Sequence, residues 1–574
     1  MERRLLIVFA LTFLVIIISQ PLIKRYFPSA PAPIATKAET GAPAPQTAML
    51  PPVPAVPAGA RMGTASQPAT AKQGAAEQVT VVENDVYRIT FSNRGGQVKS
   101  WILKAYDDSY GKPLDLVNSP AAAKYGYPLS LWAYDEGLRN RLNSVLYLPS
   151  KTGNLTSPTD LTFEYADQDL NVRKTFHFDP SYLVGVETSV TQKGNLISAL
   201  PMWPAGIGDQ LSPASYSAGL IEHQYNGDSE RLAIKKISGG GTLSGPFNWA
   251  GVADQYFAAA FIPDDPASAS LVTLRNAIEV PKDWKKPNPQ ETTRVEVLGA
   301  AVGNLKGPTV ERLYAGPKSL QILEAIPVPT VTNAPQDLRN LVNFGFFHII
   351  ARPLFLWLKW THEHIVGNWG WAIVLQTLII NIALLPLRIS SMKSMLKMQR
   401  IQPQIKSIQE KYKKYGMRDP RKQEMNKEIM ALQSQAGVSP LGGCLPMIIQ
   451  LPFLFAYYGM LGSALDLRHA NWLWIKDLSS PDPFYLVPIG IVVSMFIMQR
   501  MTPQTGMDPA QQKMMTLMMP MMLGIMSFNL PSGLGLYWSE GNLIGIVQQS
   551  IMNRTSLGRE MREIAAKRAR KKEK

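Results

Sequence analysis

The run GNWGWAIVLQTLIINIALLPL, Gly367–Leu387, contains no Asp, Glu, Lys or Arg and is followed at once by Arg388. A helix needs about 20 such residues to cross the hydrocarbon of a bilayer. Four more apolar runs follow, at about Leu441–Leu461, Phe484–Ile497, Met514–Phe528 and Gly533–Met552. Pro446, Pro452 and Pro520 lie inside these runs. Membrane helices tolerate such prolines where neighbouring helices satisfy the freed carbonyls. The expectation is a polytopic α-helical membrane region over 367–552.

The charges between the runs set the orientation. The segment 388–440 carries twelve Lys and Arg against four acids, and the tail 553–574 is strongly basic. The opposite loop, Gly462–Pro483, holds only Arg468 and Lys476 with three aspartates. Cytoplasmic loops are the ones enriched in Lys and Arg, so 388–440 and the tail are expected in the cytoplasm. Within 388–440, Met398, Ile401, Ile405, Ile408 and Tyr412 form one helical stripe. Met425, Ile429 and Leu432 form a second, which predicts a helical hairpin closing on itself.

Upstream of the membrane region, Gln336–Val366 repeats apolar residues at helical spacing with polar residues throughout. That pattern predicts an amphipathic helix lying in the membrane interface. Between 79 and 335 the period changes to two. Tyr87, Ile89 and Phe91 alternate with Arg88, Thr90 and Ser92 before the turn Asn93-Arg94-Gly95-Gly96. Similar runs at Val172–Phe178, Leu183–Thr191 and Val295–Val302 predict a large all-β domain. Residues 28–78 are rich in Pro, Ala, Thr and Gln, the composition of a disordered linker. Residues 1–27 hold Arg3, Arg4 and an uncharged stretch of about 19 residues. This reads as an uncleaved transmembrane anchor; the alternative is a cleaved signal peptide. Six spans in all then put both termini inside and the β domain outside.

The whole chain has 574 residues, a net charge of +15, 18% charged residues and 46% hydrophobic ones. Global disorder is excluded. The single cysteine, Cys444, excludes an internal disulfide, and the six histidines form no metal-binding spacing such as HExxH. No phosphate-binding or nucleophile-elbow motif occurs, so no cofactor and no catalytic group are expected. The informative residues are polar ones inside the apolar runs: Gln376, Thr377, Asn381, Gln450, Tyr537, Trp538, Glu540 and Asn542, with Arg388 at one border. Polar groups at membrane depth are costly and are kept for packing or for function. Clustered residues Lys567, Arg568, Arg570, Lys571 and Lys572 suit anionic headgroups or an RNA backbone.

Several separated motifs resemble those of the YidC/Oxa/Alb membrane protein insertases. They are Gly367-Asn368-Trp369-Gly370, Pro386-Leu387, Pro440 to Pro446, Gln450-Leu451-Pro452 and Pro531-Ser532-Gly533-Leu534. The layout is similar to the Gram-negative bacterial form. The resemblance implies a β-supersandwich in the periplasm and a five-helix core in the inner membrane. It also implies a polar groove open to lipid and cytoplasm, through which nascent membrane proteins pass without nucleotide hydrolysis. It implies that the hairpin, about 390–437, receives substrate; the implied partners are nascent membrane proteins, the ribosome, which the basic tail helps to hold, the Sec translocon and membrane lipids. Such a protein is not an enzyme. Two positions depart from the pattern: Asn381 stands where the family usually has an arginine, and Trp538 where a second tyrosine is expected. Thr377 matches a groove threonine. Arg388 is then the expected positive charge at the groove mouth. Two other readings stay open: a transporter or channel, and a membrane-anchored periplasmic carbohydrate-processing enzyme using Trp203, Trp249 and Trp284 as stacking platforms.

Overall fold

The computed structural model describes residues 71–331, 335–416, 419–437, 445–501 and 514–564, except 557 and 561. The anchor, the linker up to residue 70, Cys444 and the five basic tail residues named above lie outside the described residues.

The alternating segments form strands as their period demands. Tyr87–Ser92 pairs antiparallel with Gln97–Asp107, and Tyr87, Ile89 and Phe91 are fully buried. The turn between them needs left-handed backbone at Gly95 and Gly96, with φ of 72° and 51°. Asn93 organises its flanks, accepting from Gln78 N and donating to the carbonyls of Ala76 and Tyr147. Residues 72–78 are therefore already part of the folded domain. Lys72 also exchanges backbone hydrogen bonds with Ala166 at 2.9 Å. This shortens the linker expected over 28–78, because backbone pairing there offsets its poor apolar content.

A large antiparallel sheet is built around Trp249–Ala253, Phe257–Pro263, Thr309–Pro317, Leu183–Gln192, Leu170–Phe178 and Thr159–Ala166, paired in that order. Two five-stranded sheets flank it. Phe91, Phe163 and Phe176 meet between sheets, with Phe91 and Phe176 centroids 5.1 Å apart. Each such buried ring contributes about 1.5–3 kcal/mol relative to exposure. The all-β expectation needs one correction: short helices at Ser119–Tyr125, Glu136–Ser144, Pro213–Ser217 and Leu320–Glu324 interrupt the strands. Asn118, Asp135 and Ser212 cap the first three through side-chain acceptors, a local signal that overrides the surrounding β pattern.

The helix expected over 336–366 is shorter. Residues 338–341 form a separate 3₁₀ turn capped by Asp337, and Gly345 has a φ of 74°. Helix α1 runs only over His348–Thr361. A π turn follows at His362–Val366, and Gly367 ends it in left-handed backbone. Asn368 then caps α2, Trp369–Ala383, by accepting from Trp371 N. The chain bends by 113° between these two helices. Pro386 lies in the first turn of α3, Leu385–Lys411, so α2 stops before it, short of the predicted Leu387. The first arm of the hairpin thus begins inside the segment read as a span.

Helix α4 is Arg421–Gln435, α5 Leu445–Ser463, α6 Leu486–Met501, α7 Met519–Ser527 and α8 Ser532–Arg554. Each predicted apolar run therefore contains a helix. Among the described residues no single helix is both long and apolar enough to cross a membrane; α1 and α2 pass that test only together. Hairpin α3–α4 closes through Lys411 and Tyr412, which both donate to Glu428 Oε1 at 2.8 and 2.9 Å. Arg400 pairs with Glu560, so the chain after α8 folds back along α3.

The β domain and the helices share a joint. Gln255 Nε2 donates to the Gly462 carbonyl at 2.7 Å and Arg468 Nη1 to that of Asp107 at 2.8 Å. Arg352 pairs with Glu324 at 2.6 Å.

Candidate functional site

The polar residues of the apolar helices fall into two groups. The first centres on Gln376 of α2, which is fully buried. Its Nε2 donates to the Leu354 carbonyl of α1 at 3.0 Å, and its Oε1 accepts from the Tyr457 hydroxyl of α5 at 2.5 Å. Tyr457 stacks on Tyr537 of α8, centroids 3.9 Å apart and planes 12° apart. One buried amide thus ties α1, α2 and α5, and one stacked pair adds α8. Glu540 lies one turn beyond Tyr537, on the same side of α8. Its Oε2 is buried and has no hydrogen-bond partner.

The second group centres on Arg388. Its Nη1 donates to Gln548 Oε1 at 2.7 Å and its Nη2 to Asn381 Oδ1 at 3.3 Å. Gln548 also donates to the Asn381 carbonyl at 3.3 Å. Gly545 makes room for the guanidinium: a Cβ there would lie 3.0 Å from Nη1. Asn381 and Arg388, seven residues apart, are thus in direct contact.

Other expected residues are placed differently. Thr377 donates to the Ile373 carbonyl and Asn381 to that of Thr377, one helical turn back along α2. Asn542 donates to Ser494 of α6 at 3.1 Å. Trp538 is half-buried against the hydrophobic core. Gln450 is partly exposed on α5. Tyr457 and Ser494 were not singled out by sequence reasoning. In an apolar run a tyrosine reads as apolar and a lone serine as filler; only the facing helix shows which hydroxyl is used.

The N-terminal end of α2 is covered. Trp472 lies so close over Gly370 that a Cβ there would be 2.2 Å from its Cδ1. Trp371 meets the edge of Trp472 at 5.6 Å, and Trp474 donates to Asp482 at 3.2 Å. His362 stacks on Trp369 and His364 on Trp360, so the two imidazoles are turned to different neighbours.

The outer surfaces of the same helices are apolar and bare. Leu486, Ile489, Val493 and Ile497 of α6 are exposed, as are Met521, Met522, Ile525 and Met526 of α7 and Leu543, Val547 and Ile551 of α8. Soluble proteins rarely leave contiguous apolar patches of this extent uncovered.

In the β domain, Trp203 and Trp249 are buried and donate to Gly206 O and Gln224 Oε1, both at 2.6 Å. Neither can be a sugar platform. Trp284 packs edge-on against Tyr110.

Two family models match. The model described as YidC periplasmic domain covers residues 79–357, and that described as 60Kd inner membrane protein covers 360–559. The membrane protein insertase YidC of Geobacter sulfurreducens is 32% identical over 82% of this chain and 86% of its own. That of Syntrophus aciditrophicus is 32% identical over 96% of this chain and all of its own. The chain belongs to the YidC membrane protein insertase family. A solved structure of an active YidC insertase with the first transmembrane domain resolved aligns with 84% of this chain and 95% of that one, at 17% identity and a TM-score of 0.33. The family assigns the β-rich part to the periplasm and the helical part to the inner membrane. The two matched regions meet within α1, and the relatives are named as insertases rather than enzymes.

Proposed function

We infer that this chain inserts nascent membrane proteins by way of the polar side chains gathered between α2, α5 and α8. The observation that carries this reading is the contrast between the two sides of those helices. Their outer faces present Leu, Ile, Val and Met suited to lipid, whereas Gln376, Tyr457, Tyr537, Glu540, Asn381, Gln548 and Arg388 gather inward. Polar groups kept at such depth shorten the apolar path of a hydrophilic segment, which otherwise faces about 30 Å of hydrocarbon. The hydrophobic part of the substrate supplies the driving force as it leaves for lipid, with no nucleotide required.

In this scheme α1, with Ile349, Leu356 and Trp360 exposed, lies in the outer interface. Six spans, counting the anchor, place both termini in the cytoplasm. The Trp371–Trp472–Trp474 cluster closes the periplasmic end. Hairpin α3–α4 receives the segment, and Lys567, Arg568, Arg570, Lys571 and Lys572 hold ribosomal RNA or anionic lipid. Cooperation with the Sec translocon and action alone are both part of the reading. Photocrosslinking tests it. A probe at Trp538 should capture a ribosome-stalled single-span protein, and one at Leu543, on the bare side of α8, should capture lipid. Equal capture of substrate at both, or none at Trp538 in folded protein, removes the groove as the route.

A further inference from the structure

The helices around the two polar groups contain one acid and one base at depth, and they do not meet. Arg388 is held by neutral groups, Gln548 and Asn381. Glu540 is about 12 Å from the level of Gln548, counting 1.5 Å per residue along α8. Among the described helices α2, α5 and α7 contain no Lys, Arg or His. In α6 the only cation is Arg500, stacked on Phe496 at its far end, and in α8 it is Arg554, at the last residue. Of the basic residues of α1, Arg352 pairs with Glu324 and Lys359 with Glu363, and His348 is its first residue. Tyr457 commits its hydroxyl to Gln376, so it does not serve Glu540 either. One carboxylate oxygen is thus buried without a partner, while the residue as a whole remains partly accessible.

A buried acceptor without a donor is costly unless something supplies one. We propose that Glu540 is a specificity-determining residue: it receives a cationic or strongly donating group, a lysine or arginine side chain, from the hydrophilic segment passing between α2, α5 and α8. Arg388 and Glu540 are then two stations along one path, and the second becomes anionic only as it takes up the arriving cation. The first favours acidic segments near the cytoplasm and the second favours basic ones deeper in. This rests on the groove reading above.

The test uses the full chain in proteoliposomes of neutral and anionic phospholipid. The substrates are three single-span proteins identical except for Lys, Gln or Glu at one position of the translocated tail. Protease protection of the tail is the readout. Glu540→Gln should lower the ratio of Lys-tail to Gln-tail insertion at least fivefold. Glu540→Lys should invert the preference toward the Glu tail. Proportional loss on all three tails in both variants would make Glu540 a packing residue and overturn the proposal, as would an unchanged ratio. A crosslinking probe at Trp538 of otherwise unaltered protein separates the two levels. Substrate capture with unmoved ratios sinks only the role of Glu540, whereas absence of capture sinks the groove itself.

Discussion

Arg388 and Gln548 are 160 positions apart in sequence, yet the guanidinium of the first donates to the amide oxygen of the second at 2.7 Å. That bond joins the beginning of hairpin α3–α4 to α8. Asn381 completes the arrangement from α2. Among these contacts a guanidinium borne by α3 is thus held by amide groups from α2 and α8.

Replacing Arg388 by Ala should therefore reduce insertion of acidic-tailed substrates by about tenfold, the ~1.4 kcal/mol of one charge-assisted hydrogen bond. Arg388→Lys should recover only part of it, because an ammonium lacks the fork that reaches both amides. Protease protection of an Asp-bearing tail is the measurement. Wild-type insertion by Arg388→Ala would remove the residue from the groove mouth.

Tyr457→Phe should cost stability rather than shape. The ring keeps its stack on Tyr537, but Gln376 Oε1 loses its donor inside the bundle. A buried acceptor left unpaired costs about 1–3 kcal/mol. Detergent-solubilised protein should unfold several degrees lower by intrinsic fluorescence, and Tyr457→Phe combined with Gln376→Leu should regain much of the loss.

Gly459→Ala and Gly462→Ala form a matched pair on one helix. A Cβ at Gly459 would lie 2.2 Å from the Phe344 carbonyl oxygen, a backbone atom that cannot swing aside. At Gly462 a Cβ meets nothing within 4 Å. The first substitution should destabilise by about 1–3 kcal/mol through overpacking, and the second should be neutral or stabilise by up to ~1 kcal/mol through helix propensity. Thermal unfolding of both variants decides this.

Lys174 gives the β domain a pH dependence. Its ammonium is buried and donates to the carbonyls of Gly95, Gly96 and Leu129. Burial pushes its pKa down to about 7, from an ordinary value of 10.5. Between these values the unfolded chain binds a proton that the folded domain does not, so stability attributable to Lys174 rises with pH across that window. Below about 7 both states are charged and the contribution is flat. Denaturation midpoints of wild type minus Lys174→Met, measured from pH 6 to 10, should therefore climb with pH. A flat or falling difference would show that the three carbonyls keep the ammonium charged throughout.

Arg468 is the clasp between the α5–α6 loop and the β domain. It donates to the Asp107 carbonyl and lies over the rings of Phe257 and Tyr256, 5.4 and 5.9 Å from their centroids. Arg468→Ala should cost about 1–2 kcal/mol locally. Limited proteolysis should cut between Gly462 and Pro483 faster than in wild type, while cleavage of hairpin α3–α4 stays at its wild-type rate.

The strands and apolar helices were legible because their signals are periodic and local. Tyr87, Ile89 and Phe91 announce a strand whatever lies opposite, and 367–387 is apolar before any partner is known. Boundaries were less legible where one residue outweighed a pattern. Gly345 and the Asp337 cap split the region 336–366, and Pro386 moved the end of α2 from Leu387 back to Ala383. The candidate site divides the same way. That Gln376, Asn381, Glu540 and Asn542 are polar residues in apolar surroundings is visible in the sequence alone. That Gln376 serves Tyr457, Asn542 serves Ser494 and Glu540 Oε2 serves nothing is not.

By itself, then, the sequence determined which segments are strands, which are apolar helices, where the positive charge accumulates and which family motifs are present. Tertiary structure alone decided how the polar side chains pair: Arg388 with Gln548 and Asn381, Tyr457 with Gln376 and Tyr537. The reason is physical. Periodicity and charge density are properties of neighbouring residues, whereas a side-chain hydrogen bond needs two groups within about 3 Å, and that distance is set by how helices far apart in the chain come to lie against one another.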